Sequence, residues 1–201
     1  MNWKKLLICT STFAAITTIN FAYAQDANTT SQANSNSLTF DNSTKVTGAN
    51  TTTLTSAEIG SLATIAAIDK LEILLGVIAS NKKTSSGVAD FAKMMIDQHG
   101  SNLTQLLEMV NNMHASSLKG GASEDIHTQG MKAMMMLGGL QGDAFDKAYV
   151  DAMVKGHQAA LDMIDQKLMK TATSDDVKKF LTDTRAAVVQ HLDAAKKLQT
   201  A

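Results

Sequence analysis

The sequence predicts an all-α protein, a four-helix bundle with a longer connection between its second and third helices. Three observations favour this fold class. The chain contains no proline, the residue that most often breaks a long helix. Four long segments carry apolar residues that recur at helical spacing, which is typical of helices packed side by side. No segment shows a convincing alternation of apolar and polar residues, as a β-strand would.

Local residue chemistry predicts where each helix begins and ends. Thr55 or Ser56 can cap the first helix, with Glu58 in its first turn, and Ser174 stands at the start of the last one. The connection contains Gly120-Gly121, a short extra helix and then Gly138-Gly139. The four main helices are predicted over residues 56–79, 88–114, 143–170 and 174–198, and the short helix over residues 123–137.

The chain is expected to divide into three parts. A basic start, an apolar run and the small residues Ala22 and Ala24 predict a signal peptide over residues 1–24. An uncleaved membrane anchor is the competing interpretation, but the run is short and contains several Thr and Ser residues. Residues 25–53, rich in Ser, Thr and Asn, are predicted to be a disordered tether, and residues 54–201 the bundle domain.

Cysteine content and charge exclude several kinds of protein. The single cysteine, Cys9, lies in the predicted signal peptide, so the mature chain has no disulfide and no thiolate metal site. The mature net charge is about −3 and no basic cluster stands out, which argues against nucleic acid as a partner. These features favour a protein of the periplasm or a secreted protein of a Gram-negative bacterium, without a transmembrane anchor after cleavage and with no protein partner indicated.

Polar residues interrupt the apolar stripe of each main helix. They are Glu72, His99, His157 and His191, one in each helix. A polar side chain in a buried stripe needs a partner. A lone histidine on such a stripe is more often a hydrogen-bonded core residue than a ligand, but three on three helices predict a shared site. Bundle cores are where metal ligands from facing helices converge.

Helix heights indicate which of these residues can meet. His157 and His191 lie at heights that differ by about one helical turn, so this pair can come together, and His99 joins them if the register allows. Glu72 lies roughly 9 Å from the level of His99, whereas Asp69 lies one turn earlier and closer to it. The sequence leaves both acids open as the carboxylate ligand.

The residue types favour one transition-metal ion over a di-iron centre. Di-iron bundles use Glu-x-x-His pairs, whereas the residues three before His99, His157 and His191 are Ile96, Val154 and Val188. Histidines with one acid suit a single zinc, copper or nickel ion, with zinc or copper preferred. Met95 and Met153, each four residues before a histidine, would favour copper as ligands, but flexible core packing is the favoured explanation for both.

The remaining histidines and methionines are assigned to other environments. His114 and His127 are expected to face solvent because they fall near a helix end or in the connection. The run of methionines at 134–136 is expected to pack in the core.

Three ordered motifs resemble an exported bacterial family, the domain of unknown function 4142. They are residues 91–99 (FAKMMIDQH), residues 145–157 (FDKAYVDAMVKGH) and residues 177–192, and Glu72 in the first helix fits the same family. The resemblance covers roughly residues 55–198. It implies a ferritin-like helical bundle in the periplasm or outer envelope, with His99, His157 and His191 at the family's histidine positions. Gln98 and Gly156 stand where the family often has an acid, which implies weaker or different metal binding.

The sequence therefore supports an exported helical bundle that binds a transition metal without turning over a substrate. The alternative is a non-metal interaction or structural module of the cell envelope, in which the histidines form a buried hydrogen-bond network. A redox enzyme is less favoured because it needs an open metal position and more carboxylates.

Overall fold

A computed structural model describes residues 53–115 and 117–200 of the chain. Within these ranges the protein is helical and contains no β-strand, which confirms the predicted all-α class. The predicted signal peptide and all but the last residue of the predicted tether lie outside the described residues. None of the helices in the described part is long and apolar enough to cross a membrane.

The observed helices lie close to the predicted segments. The fourth helix differs, because a π-helical segment, Ile164–Leu168, separates it from a last single turn. Helical periodicity alone did not predict this segment. In chain order the α-helices are α1 Ser56–Ser80, α2 Ser86–Asn112, α3 Ser123–Gly138, α4 Gly142–Met163, α5 Met169–Thr171, which is the single turn, and α6 Asp175–Gln199.

Capping residues fix the beginnings of α1 and α6. The Thr55 hydroxyl accepts a hydrogen bond from the Glu58 backbone N–H, and the Glu58 carboxylate accepts one from the Thr55 N–H, which makes a capping box. Ser174 caps α6 by accepting from the Val177 N–H. Both caps satisfy backbone donors that a helix N-terminus leaves without partners.

The helices pack as two pairs, with α3 lying against α1. α1 packs against α2 and α4 packs against α6, while α2 also contacts α6. α3 packs mainly on α1 and also contacts α4. These contacts support the four-helix bundle, and the bundle arrangement itself stays a prediction.

The connection between α2 and α3 is held tightly against α1 at a pair of glycines. Gly121 has a φ of +62°, in the left-handed region that favours glycine. A Cβ at this position would stand 2.1 Å from the Gly60 carbonyl oxygen, so no side chain fits there. The Ala122 N–H donates a hydrogen bond to the Thr64 hydroxyl beside it, at 3.0 Å. The sequence Gly120-Gly121 therefore permits a close contact as well as a turn.

The core consists of two apolar clusters with a layer of buried polar residues between them. One cluster joins the N-terminal half of α1, the C-terminal half of α2, the end of α4 and most of α6. The other joins the opposite halves of α1, α2 and α4 with the end of α3 and Ala195 of α6. On α1, α2 and α4 the polar residues come between the stretches that enter the two clusters, and on α6 His191 lies beside Leu192, where the first cluster ends. The members of this polar layer are Asp69, Glu72, His99, His157 and His191.

Candidate metal centre

Three buried histidine rings meet in the polar layer. His99 comes from α2, His157 from α4 and His191 from α6, and their exposed fractions are 3%, 2% and 2%. The ring centroids lie 4.9 to 5.8 Å apart. One nitrogen from each ring lies within 4.8 Å of one from each of the others. We call these three residues the histidine cluster, and its geometry is compatible with the binding of a metal ion.

Each ring is held by a hydrogen bond at one of its two nitrogens. His99 Nδ1 lies 2.8 Å from an oxygen of Asp69, and His157 Nδ1 lies 2.8 Å from the Met153 carbonyl oxygen. His191 Nε2 lies 2.7 Å from Gln98 Oε1. Carboxylate and carbonyl oxygens accept hydrogen bonds, so these three nitrogens carry the ring protons.

Asp69 is itself held by a chain of hydrogen bonds that reaches α6. The Asn102 amide donates to the second oxygen of Asp69 at 2.9 Å, and the Thr184 hydroxyl donates to the Asn102 carbonyl oxygen at 3.0 Å. Both oxygens of Asp69 are therefore occupied as acceptors. The chain joins α1, α2 and α6 behind His99, and such contacts orient a histidine that binds a metal.

The other nitrogen of each ring has no hydrogen-bond partner among the described residues. These atoms are His99 Nε2, His157 Nε2 and His191 Nδ1. Because the ring protons lie on the opposite nitrogens, each of these three atoms presents a lone pair. Three acceptors without a donor cannot satisfy one another, and buried polar atoms are rarely left without a partner. A metal ion bound by one nitrogen from each ring could satisfy such atoms.

Burial favours a neutral ring at His191. Burial lowers its pKa, positive charge on His99 or His157 would lower it as well, and these effects together bring the pKa of His191 to about 3. His191 is therefore uncharged near neutral pH, with its lone pair free to bind a metal. Burial raises the pKa of Asp69, which the hydrogen bonds from His99 and Asn102 oppose.

Glu72 and Tyr149 bring two more unsatisfied polar groups close to the cluster. Glu72 is buried, and its Oε2 has no hydrogen-bond partner among the described residues. Its Oε1 lies 3.5 Å from where a Cβ on Gly156 would stand, so the carboxylate reaches α4 beside His157. The Tyr149 hydroxyl is also without a partner. Burial, together with the negative charge of Glu72, raises the pKa of this hydroxyl.

The two acids thus have different relations to the rings. Asp69 accepts hydrogen bonds from His99 Nδ1 and from the Asn102 amide. Glu72 retains an unsatisfied carboxylate oxygen, as a ligand or counter-charge for a cation would. The group of possible ligands found within residues 53–115 and 117–200 contains the three histidines and neither Asp69 nor Glu72.

The structure places the other predicted histidines and methionines as follows. His114 and His127 are exposed, as predicted. Met95 and Met153 are fully buried in the second apolar cluster, the one that contains Ala195, which agrees with core packing. The core prediction for residues 134–136 is wrong at Met135 and Met136, which are 76% and 51% exposed. α3 lies on the outside of α1, so only one side of it can be buried.

Sequence reasoning did not identify the residues that hold the rings. None of the residues that support the cluster was predicted to do so. Gln98 contacts His191, while Asn102 and Thr184 form the chain of hydrogen bonds to Asp69. Two of them had detectable signals. Asn102 follows His99 by three residues on the same helix face, and Thr184 interrupts the apolar stripe of α6 two turns before His191. Gln98 points to α6 from the neighbouring face, which spacing within one helix does not reveal.

Comparison with known proteins identifies the family. The model of a family described as Domain of unknown function (DUF4142) matches residues 43–198. The chain belongs to this family, which confirms the resemblance carried by its three motifs. No curated protein and no solved structure matches the chain.

Proposed function

We propose that this DUF4142 protein binds one zinc or copper ion at the histidine cluster, and that it holds or carries the metal without catalysing a reaction. The observation that supports this proposal is the set of three buried ring nitrogens with lone pairs and no hydrogen-bond partner among the described residues. Imidazole nitrogens are suitable ligands for both metals. We propose Glu72 as the counter-charge of this ion, because its buried oxygen without a partner would gain a cation in the same polar layer.

Asp69 has a different role in this proposal. It fixes the ring proton of His99 on Nδ1 and so directs the lone pair of Nε2 into the site. Histidines that bind metals commonly donate their second ring N–H to a carboxylate or a carbonyl. His157 and His191 are held in the same way by the Met153 carbonyl and the Gln98 amide.

A hydrogen-bond network without metal is the second candidate function. It is favoured by the bonds that each ring makes at its outer nitrogen. The network leaves three buried nitrogens without a donor, unless one ring takes up a proton. They are His99 Nε2, His157 Nε2 and His191 Nδ1. Burial opposes that protonation, as the low pKa of His191 shows. The metal site accounts for more of the buried polar atoms.

Zinc titration of the purified chain, without an affinity tag of histidines, tests the proposal. We expect one zinc ion per chain, and no uptake by the double variant H157A/H191A. The control is H114N, which changes an exposed histidine whose φ of +54° asparagine tolerates. Circular dichroism shows whether the double variant is still helical.

A second measurement avoids any dependence on the folding of that variant. Histidine ¹⁵N NMR of the wild-type chain should show protonated Nδ1 in His99 and His157, and protonated Nε2 in His191. Added zinc should shift the resonances of the three opposite nitrogens. Zinc uptake that leaves these resonances unchanged, or no uptake at all, would mean that the cluster is a hydrogen-bond network.

Export is part of the proposal. The basic start, the apolar run and the small residues before Gln25 support cleavage after Ala24 and a periplasmic or secreted location. The ferritin-like bundle belongs to the proposal in the same way, supported by the pairing of α1 with α2 and of α4 with α6. N-terminal sequencing of the protein recovered from its native host should begin at Gln25.

A further inference from the structure

Glu72 has a buried carboxylate oxygen without a hydrogen-bond partner among the described residues. This atom is Oε2, and the whole residue is buried. A carboxylate oxygen in such a place needs a donor or a cation. On the premise that the histidine cluster binds zinc, we propose that a water molecule lies between the ion and Glu72. It would be the fourth ligand of the ion and the hydrogen-bond donor to Oε2.

The distances between ligand atoms argue against direct binding of Glu72 to the ion. Two atoms bound to one zinc ion at about 2.0–2.2 Å lie no more than about 4.4 Å apart. The three rings come close to this limit, because one nitrogen from each lies within 4.8 Å of one from each of the others. Neither Glu72 nor Asp69 belongs to this group. One ion can therefore gather three protein ligands, which leaves its fourth position to another molecule.

Glu72 nevertheless lies beside the cluster, on the side of α4. Its Oε1 is 3.5 Å from where a Cβ on Gly156 would stand, and Gly156 directly precedes His157. Glu72 and the three histidines also belong to the same polar layer of the core. The carboxylate is thus near the rings but outside the set of ligand atoms. A small bridging molecule would join it to the ion without any movement of α1.

Charge and hydrogen bonding select water as this molecule. The fourth ligand must offer a lone pair to the ion and a hydrogen to Glu72, and water does both. The cation makes the water a stronger donor. The Tyr149 hydroxyl does not act as the donor, because it has no partner itself among the described residues. An anion such as azide offers no hydrogen and would be repelled by the carboxylate.

A water ligand would distinguish this site from a closed structural zinc site. Closed sites use four protein ligands, whereas an ion with three protein ligands can exchange the fourth. An incoming ligand could then replace the water while the three rings still hold the ion. Glu72 would control which ligands enter, since its charge favours neutral donors over anions.

Cobalt(II), a paramagnetic probe of zinc sites, tests the water ligand in the wild-type chain. Its EPR spectrum should broaden in water enriched in ¹⁷O, because the magnetic ¹⁷O nucleus is then bound to the ion. E72Q should show the same broadening, since an amide oxygen still accepts from the water. Azide should bind the cobalt form of E72Q about tenfold or more tightly than that of wild type. E108Q, at an exposed position of α2, is the matched control and should bind azide as wild type does.

Two results would overturn the water ligand in a chain that still takes up one zinc ion. One is an EPR spectrum that is the same in ¹⁷O-enriched and ordinary water, which would make a protein group the fourth ligand. The other is equal azide binding by wild type, E72Q and E108Q, which would show that the charge of Glu72 does not act on the fourth position. A chain that takes up no zinc would instead end the metal site itself, and the water ligand with it.

Discussion

The two nitrogens of each clustered histidine lie in different environments, and this difference gives the candidate site its chemistry. One nitrogen donates to Asp69, to the Met153 carbonyl or to Gln98, while the other has no partner among the described residues. The sequence could predict that these histidines interrupt buried stripes. It could not predict which nitrogen faces inward, because that depends on acceptors contributed by other helices and other turns.

At the residue scale, E72Q should have opposite effects on stability and on metal binding. Removing an unpaired buried charge should raise the free energy of unfolding of the metal-free protein by about 1–2 kcal/mol. Loss of the carboxylate should weaken zinc binding by about tenfold or more. Urea denaturation and zinc titration measure the two effects, with E108Q on the exposed face of α2 as the control. A less stable E72Q variant with unchanged zinc affinity would show that Glu72 does not take part in zinc binding.

Asp69 should respond differently from Glu72. D69N removes the negative charge beside His99 and leaves one acceptor oxygen for two donors, His99 Nδ1–H and the Asn102 amide, so we expect zinc binding to weaken by about 10–100-fold. The metal-free protein should lose stability as well, since Asp69 accepts hydrogen bonds from His99 and Asn102. The control is D90N, at an exposed position of α2. Comparison of these variants decides which acid the metal depends on.

At the scale of elements, Glu58 joins the beginning of α1 to the beginning of α6. One of its oxygens accepts from the N–H and the hydroxyl of Thr55, while the other accepts from Thr173 and from the Ser174 N–H. The sequence predicted Glu58 as a residue of the first turn of α1. Its contacts with Thr173 and Ser174 could not be predicted, because they span more than a hundred positions along the chain.

Glu58 should make stability depend on pH in the acid range. Burial alone would raise its pKa, but hydrogen bonds from Ser174, Thr55 and Thr173 lower it from 4.5 to about 2. A carboxyl whose pKa is lower in the folded state stabilises the protein above the unfolded pKa, and this contribution is lost as pH falls from 4.5 towards 2.

We therefore expect E58Q to lose about 1–3 kcal/mol of unfolding free energy at pH 7, because its amide cannot accept at both positions. The difference from wild type should shrink between pH 4.5 and pH 2, as wild-type Glu58 takes up a proton. Denaturant unfolding across this range measures it, and E124Q, an exposed residue in the first turn of α3, is the control. A difference that stays constant down to pH 2 would contradict the assignment.

At the scale of the whole molecule, the polar layer is contributed by four separate helices and divides an otherwise apolar core. The all-α class could be predicted because stripes with helical spacing report directly on helices that bury one face. The assembly of the layer depends on helix register, which the sequence constrains only to within about a turn. For this reason the proximity of His157 and His191 was predicted more firmly than the positions of Asp69 and Glu72.

An ion in the polar layer should stabilise the whole fold. At free zinc a hundred times the dissociation constant, the expected gain is about 2.7 kcal/mol. For a domain of this size that corresponds to a rise in Tm of roughly 5–11 °C. Differential scanning calorimetry should show the rise for wild type and H114N but not for H157A/H191A. Equal rises in all three proteins would place the zinc elsewhere.

The near-complete burial of the three rings also determines how quickly metal can enter or leave. Because the three histidines are only 2–3% exposed, an ion cannot reach their ring nitrogens until α2, α4 and α6 move apart. The rate of loading would then be limited by this opening, and it would stop rising with metal concentration once opening is slower than binding. A bound ion would also leave only when the helices open. A chelator in solution would therefore remove it at the rate of opening.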